Sequence, residues 1–189
     1  MAPDMWTGWG IRTLSTKNPA FNPYNYQTGS VWPHDNAIIA MGFKFYGFGA
    51  EAARIAHDIS FAASYFRLNQ LPELYTAFER SETNFPVQYL GANVPQAWAA
   101  GSAFMLTGAL LGVLPDAPGN KLYVDPLLPQ WLPDLAVYDL HLGRHKLDIR
   151  FWREGEDTTF EVIKGDAKLV ERCELAAKMA QLRTAPNQP

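Results

Sequence analysis

The chain holds a single cysteine, Cys173, among its 189 residues, which excludes an intrachain disulfide and any multi-thiolate zinc site and fits a reducing cytosol. Neither sign of charge is in large excess. Sixteen Lys and Arg face nineteen Asp and Glu, for a net charge of -3 and a pI near 5.8, so there is no basic footprint to recruit nucleic acid or an anionic membrane surface. Neutral ligands fit better. The sequence has no Gly-rich phosphate loop, Gly-x-Ser-x-Gly elbow or Walker-type lysine, and Met1-Ala2-Pro3-Asp4-Met5 lacks the positive region and apolar run of a secretory signal. Among the histidines, His57, His141 and His145 show no ligand-like spacing, since His141 and His145 fall across a β turn and not on one helix face. The expectation is a cytoplasmic protein without metal or cofactor. The longest nearly uncharged run, Ala97 to Leu114, reaches the lower limit of bilayer-crossing length. It is bounded by Pro95 and Pro115, has no Lys or Arg flank, and carries Ser102, Thr107 and several glycines, so it reads as a core helix and no membrane partner is expected.

What is present is apolar and aromatic: 48% hydrophobic residues and 13% Phe, Trp and Tyr are ample for a core. The densest chemistry lies in Tyr26-Gln27-Thr28-Gly29-Ser30-Val31-Trp32-Pro33-His34-Asp35-Asn36. A connecting turn uses Gly, Pro, Asn or Asp for backbone reasons but has no need of Trp and His, whose ordering costs entropy and calls for a packing partner or a ligand. This stretch therefore reads as a ligand-facing loop. The alternative is a helix entry in which Trp32 is core, Pro33 begins the helix and Asp35 or Asn36 caps it.

Ile38, Ile39, Met41, Phe45 and Tyr46 recur at helical spacing and Gly47-Phe48-Gly49 supplies a stop. Ala52, Ile55, Ala56, Ile59, Ala63 and Phe66 form the stripe of a second helix, with Glu51, Arg54 and Asp58 on its solvated side. Asn69 to Pro95 has neither period and reads as a long functional loop, followed by an apolar inner helix from Pro95 to Leu114. After the turn cluster Pro115 to Asn120 the pattern becomes β. Leu135, Val137, Leu140 and Leu142, then Leu147, Ile149 and Phe151, then Phe160 and Val162 alternate with polar residues, predicting two antiparallel hairpins turning at Gly143-Arg144 and Glu154-Gly155-Glu156-Asp157. Asp166 to Arg183 reads as a peripheral helix, and Ala185 to Pro189 as a disordered end.

Glu73, between Pro72 and Leu74, is the candidate catalytic residue. A carboxylate held in a partly apolar cleft has its pKa raised toward working pH, as a general base that takes a proton from water requires. A helix-start carboxylate or a buried salt bridge is the structural alternative, and Glu79 and Glu82 are local competitors. Trp32, Trp98 and Tyr75 are candidate sugar platforms, because aromatic faces stack on the C–H faces of pyranoses. His34, Asp35 and Gln96 can supply the fixed hydrogen bonds that select hydroxyl orientation.

Three blocks, Ser30-Val31-Trp32-Pro33-His34-Asp35-Asn36-Ala37, Leu71-Pro72-Glu73-Leu74-Tyr75 and Pro95-Gln96-Ala97-Trp98-Ala99-Ala100-Gly101, together resemble one family. With Trp9-Gly10-Ile11-Arg12-Thr13-Leu14-Ser15 and Phe21-Asn22-Pro23-Tyr24-Asn25-Tyr26, they resemble the C-terminal catalytic region of bacterial glycogen-debranching-type amylo-alpha-1,6-glucosidases. Mannosylglycerate hydrolase-like, trehalase-like and neutral-invertase-like enzymes share that helical fold. The resemblance runs from about Trp6 to Asp166. It implies a mostly α chain: the C-terminal portion of an (α/α)6 toroid over residues 1–116, a small antiparallel β appendage over 117–165, and a peripheral helix with a tail over 166–189.

By the same resemblance Glu73 occupies the base position of an inverting hydrolase of α-glucosidic bonds. The acid partner is then an aspartate on an N-terminal half of the barrel that this chain lacks, and the chain alone is expected to be inactive. The implied partners are an oligosaccharide or small glycoside and that missing half. Mannosylglycerate- or trehalose-type specificity and a non-catalytic carbohydrate-binding module are the alternative functions.

Overall fold

A computed structural model describes residues 1–184; the expected disordered end, 185–189, lies outside the described residues. Among the described residues there are four α-helices, α1 (Pro33–Phe45), α2 (Gly49–Ala63), α3 (Ala97–Leu111) and α4 (Leu175–Thr184). Six strands accompany them: β1 (Leu114–Asp116), β2 (Lys121–Val124), β3 (Asp134–Leu142), β4 (His145–Glu154), β5 (Asp157–Lys164) and β6 (Val170–Arg172). With 34% helix and 23% strand, the fold is a mixed α and β one and not the mostly α, toroid-derived architecture that the resemblance implied. The physical reason is twofold: residues before Leu114 supply only three α-helices, too few for the helix hairpins of a toroid, and β6 at Val170–Arg172 carries strand pairing beyond the expected appendage into a second sheet.

The chain forms two compact units. The first comprises Met1–Met41 and Arg54–Thr107. In it an irregular ladder of isolated bridges joins Arg12 to Val31, Val31 to Tyr75 and Tyr75 to Gln88, so distant loops are held side by side by backbone hydrogen bonds. Val31 and Tyr75 exchange both bonds, at 2.9 and 3.0 Å. Trp9, Arg12, Val31, Leu74 and Tyr75 are almost wholly buried here, together with Ile55 and Ile59 of α2. The Arg12 guanidinium donates to the Asp4 and Ala77 carbonyls, and its burial pushes its pKa down while Glu79 counters.

Two expectations change in this unit. Asp58 does not lie on a solvated side of α2; it is only 5% exposed. The α3 helix ends at Leu111 and is not an inner helix: Ala99, Ser102 and Leu106 are buried, whereas Phe104 stands 82% exposed. An apolar composition on every face had suggested full enclosure, but composition says nothing about which neighbours are there to enclose it.

The second unit comprises Gly42–Ala53 and Gly108–Pro189, described here to Thr184. β3, β4 and β5 form the expected antiparallel meander, with Leu142 opposite His145 and Glu154 opposite Asp157 across its two turns. Leu142, Leu147, Ile149 and Phe151 project to one core with Leu122, Val124 and Leu128. β1, β2 and β6 make another sheet, in which β2 pairs antiparallel to β1 and parallel to β6. The helical reading of Asp166 to Arg183 is corrected by β6; the helix begins only at Leu175. Lys44, nearly buried, pairs with Asp125 at 3.1 Å, and Asp125 also accepts the Leu175 N–H at the start of α4. Among the described residues no helix is long and apolar enough to cross a membrane.

Candidate functional site

The Tyr26 to Asn36 loop is shaped by its backbone before its side chains matter. Gly29 has a φ of +150°, and a Cβ there would meet the Phe21 ring at 2.6 Å, so this position admits only glycine. Ser30 Oγ then accepts from the Gln27 N–H and from Trp32 Nε1, fixing the indole at the mouth of α1. Pro33 opens the helix, as a residue without an N–H does at no cost. Asn36 is fully buried and pins the helix to the preceding hairpin: its Oδ1 accepts the Ile11 N–H at 2.7 Å, and its Nδ2 donates to the Ile11 and Trp32 carbonyls.

The loop and the start of α3 enclose a cleft of about 320 Å³ lined by Thr13, Tyr26, Gln27, Trp32, His34, Asp35 and Trp98. Trp32 meets Tyr26 edge-on at 5.1 Å and Trp98 edge-on at 6.0 Å, while the His34 ring stacks on Trp98 at 4.7 Å. Trp98 is 43% exposed and can offer an indole face, whereas Trp32 is only 5% exposed. Asp35 stays half-exposed beside His34 Nδ1, at 3.3 Å, in the first turn of α1 where a carboxylate suits the helix dipole.

Glu73 lies behind this wall. It is 7% exposed, and its carboxylate accepts three hydrogen bonds from neutral donors: Tyr26 O–H on Oε1 at 3.2 Å, and the Asn93 N–H and side-chain amide on Oε2 at 3.2 and 3.0 Å. The Glu73 N–H returns a bond to the Asn93 carbonyl. A carboxylate so enclosed avoids the penalty of an unpaired buried charge without a cationic partner. Burial pushes the Tyr26 phenol upward, and the neighbouring Glu73 adds to that shift.

Trp32, His34, Asp35 and Trp98 thus gather at one cleft, and Glu73 joins it through Tyr26. Tyr75 does not. Its ring is fully buried and its hydroxyl donates to the Trp9 carbonyl at 2.6 Å, so it has no face to give a sugar; it is a core residue. Gln96 is not among the lining residues, and its Oε1 accepts the Ala97 N–H at the start of α3. Glu79 and Glu82 line a different cleft. Tyr26, Gln27, Thr13 and Asn93 are additions. Tyr26 and Gln27 sit in the loop whose density of functional groups drew attention to it, whereas Asn93 reaches Glu73 from twenty residues away and carries no local signal. Among the described residues no group of three or more His, Cys, Asp or Glu is arranged to hold a metal ion.

No model of a known protein family matches the chain, and no curated protein is significantly similar to it.

Proposed function

We propose that the aromatic cleft binds a sugar unit of an α-glucoside and that Glu73 is the general base of an inverting hydrolysis, as in the amylo-alpha-1,6-glucosidase type. The reading rests on one observation: the nearly buried Glu73 is held by Tyr26, whose ring is also a wall of the cleft. A base must be fixed near the water it activates, and an aromatic wall with His34 and Asp35 beside it suits a pyranose that presents C–H faces and hydroxyls together. Inversion requires a second carboxyl about 6.5–9.5 Å from the base. In this reading that acid comes from a further segment of the enzyme, in a cytoplasmic setting, with neither nucleic acid nor membrane as partner.

A second reading has its own support. Glu73 does not itself line the cleft, and Tyr26 stands between, so the same residues suit a carbohydrate-binding module without turnover.

The deciding experiment is Glu73→Gln in the enzyme with both carboxyls present. Turnover of isomaltose-type branches, maltooligosaccharides or trehalose should fall by at least about two orders of magnitude while sugar affinity is kept, since the proton acceptor goes and the shape stays. Wild-type turnover in Glu73→Gln removes Glu73 from the chemistry. Sugar binding without any turnover by the wild-type protein favours the module.

A further inference from the structure

Gln27 holds a backbone conformation that its residue type adopts only at a cost. Its φ is +60°, in the left-handed region where a Cβ crowds the following carbonyl. Asn69, Asn120 and Asp139 share that region but belong to types that tolerate it, and Leu68, which does not, lines neither cleft of this unit. The turn around Gln27 is fixed from both sides. The Asn22 N–H donates to the Thr28 carbonyl at 2.8 Å, the Gln27 N–H to Ser30 Oγ at 3.3 Å and the Gly29 N–H to Thr13 Oγ1 at 3.1 Å. Strain of this kind persists where the surrounding structure over-determines it, and it gathers at sites that need the side chain.

That side chain lines the cleft of Trp32 and Trp98. Apart from the Trp98 indole N–H, the other polar side chains of the wall already have a partner. Thr13 Oγ1 accepts from Gly29, the Tyr26 O–H donates to Glu73, Trp32 Nε1 donates to Ser30, and His34 meets Asp35. The Gln27 amide makes no hydrogen bond among the described residues, so its N–H and its C=O are both open. We propose that Gln27 is the residue that selects the sugar in this cleft, its amide donating to one hydroxyl and accepting from the adjacent one. The inference rests on the reading of the cleft as a sugar site. A primary amide sets a donor and an acceptor side by side, which matches two neighbouring hydroxyls of a pyranose; glycine, the residue this backbone favours, offers neither. Stacking on the Trp98 face serves any pyranose, whereas the amide pair depends on where the hydroxyls stand. A ligand lacking either hydroxyl forfeits one of the two bonds.

The test is isothermal titration of the full chain with methyl α-glucoside and the series of its monodeoxy analogues, in wild type, Gln27→Gly and Gln27→Glu, with melting curves beside it. We expect two analogues that lack adjacent hydroxyls to bind wild type about fivefold more weakly than the parent glycoside. Gln27→Gly should bind the parent about tenfold more weakly, lose both of those penalties, and melt about 2–4 °C higher because the strained Cβ is gone. Gln27→Glu keeps the length and the acceptor, so one of the two penalties should survive in it. A parent affinity in Gln27→Gly within about twofold of wild type, or deoxy penalties that are the same in both proteins, overturns the role of Gln27 and leaves the sugar cleft standing. Weaker binding together with a lower melting temperature in Gln27→Gly makes the residue a support of the turn and overturns the role as well. No binding of any of these glycosides by wild type at millimolar concentration overturns the sugar reading of the cleft, and this inference with it.

Discussion

Two carboxylates of the first unit lie almost out of water, and they are kept there by different means. Glu73 is surrounded by neutral donors; Asp58 has an imidazole and a guanidinium at hand. For Asp58, burial outweighs these partners and lifts its pKa above the ordinary aspartate value. The folded chain therefore binds this proton more readily than the unfolded chain does. Between the unfolded and the folded pKa the native state carries the extra proton, so Asp58 makes stability fall as pH rises through that window, with no further change above it. Asp58→Asn removes this slope, so the stability difference between wild type and variant, measured by melting from acid to neutral pH, should change across that window and be flat above it; a difference that stays constant throughout refutes the assignment. Of these two residues, Glu73 was legible because an acid between Pro72 and Leu74 has no solvated face to occupy. Asp58 was not. Its place in a helical stripe pointed outward, and the segments that cover it, around Trp6 and Arg80, come from outside its helix.

At the scale of elements, α1 is tied to the N-terminal hairpin by Asn36. Asn36→Ala leaves the Ile11 N–H and C=O without their partner in a buried place, which should cost about 2–4 kcal/mol and lower the melting temperature by roughly 2–4 °C per kcal/mol for a chain of this length. The half-exposed Asp35, changed to Ala in the same turn, should cost only about 0.3–1 kcal/mol. Equal losses in the two variants would contradict this division of labour. Elements with enough repeats to show a period were readable: α1, α2 and the β3–β4–β5 meander follow directly from their stripes and alternations. β1, β2 and β6 span three or four residues each, too few for a period to emerge, and β6 finds its parallel partner in β2 some forty-eight positions away, Leu122 against Val170. Such a pairing is a tertiary event that no local pattern announces.

In the whole molecule, three sequence blocks far apart in the chain do meet: Trp32, His34 and Asp35 share a cleft with Trp98, and Glu73 is tied to it through Tyr26. The architecture around them was not legible from those blocks, because motif residues report the demands of a site and leave the surrounding framework undetermined. The His34 imidazole lies in near-parallel contact with the Trp98 indole, 19° from coplanar. The stacked imidazole covers one face of the half-exposed Trp98 indole. Under the proposed sugar-binding reading, a ligand that parts the two rings would change the tryptophan emission as it binds, and the same ligand added to His34→Ala should give a different change; identical responses in the two proteins refute a ligand seated between the rings.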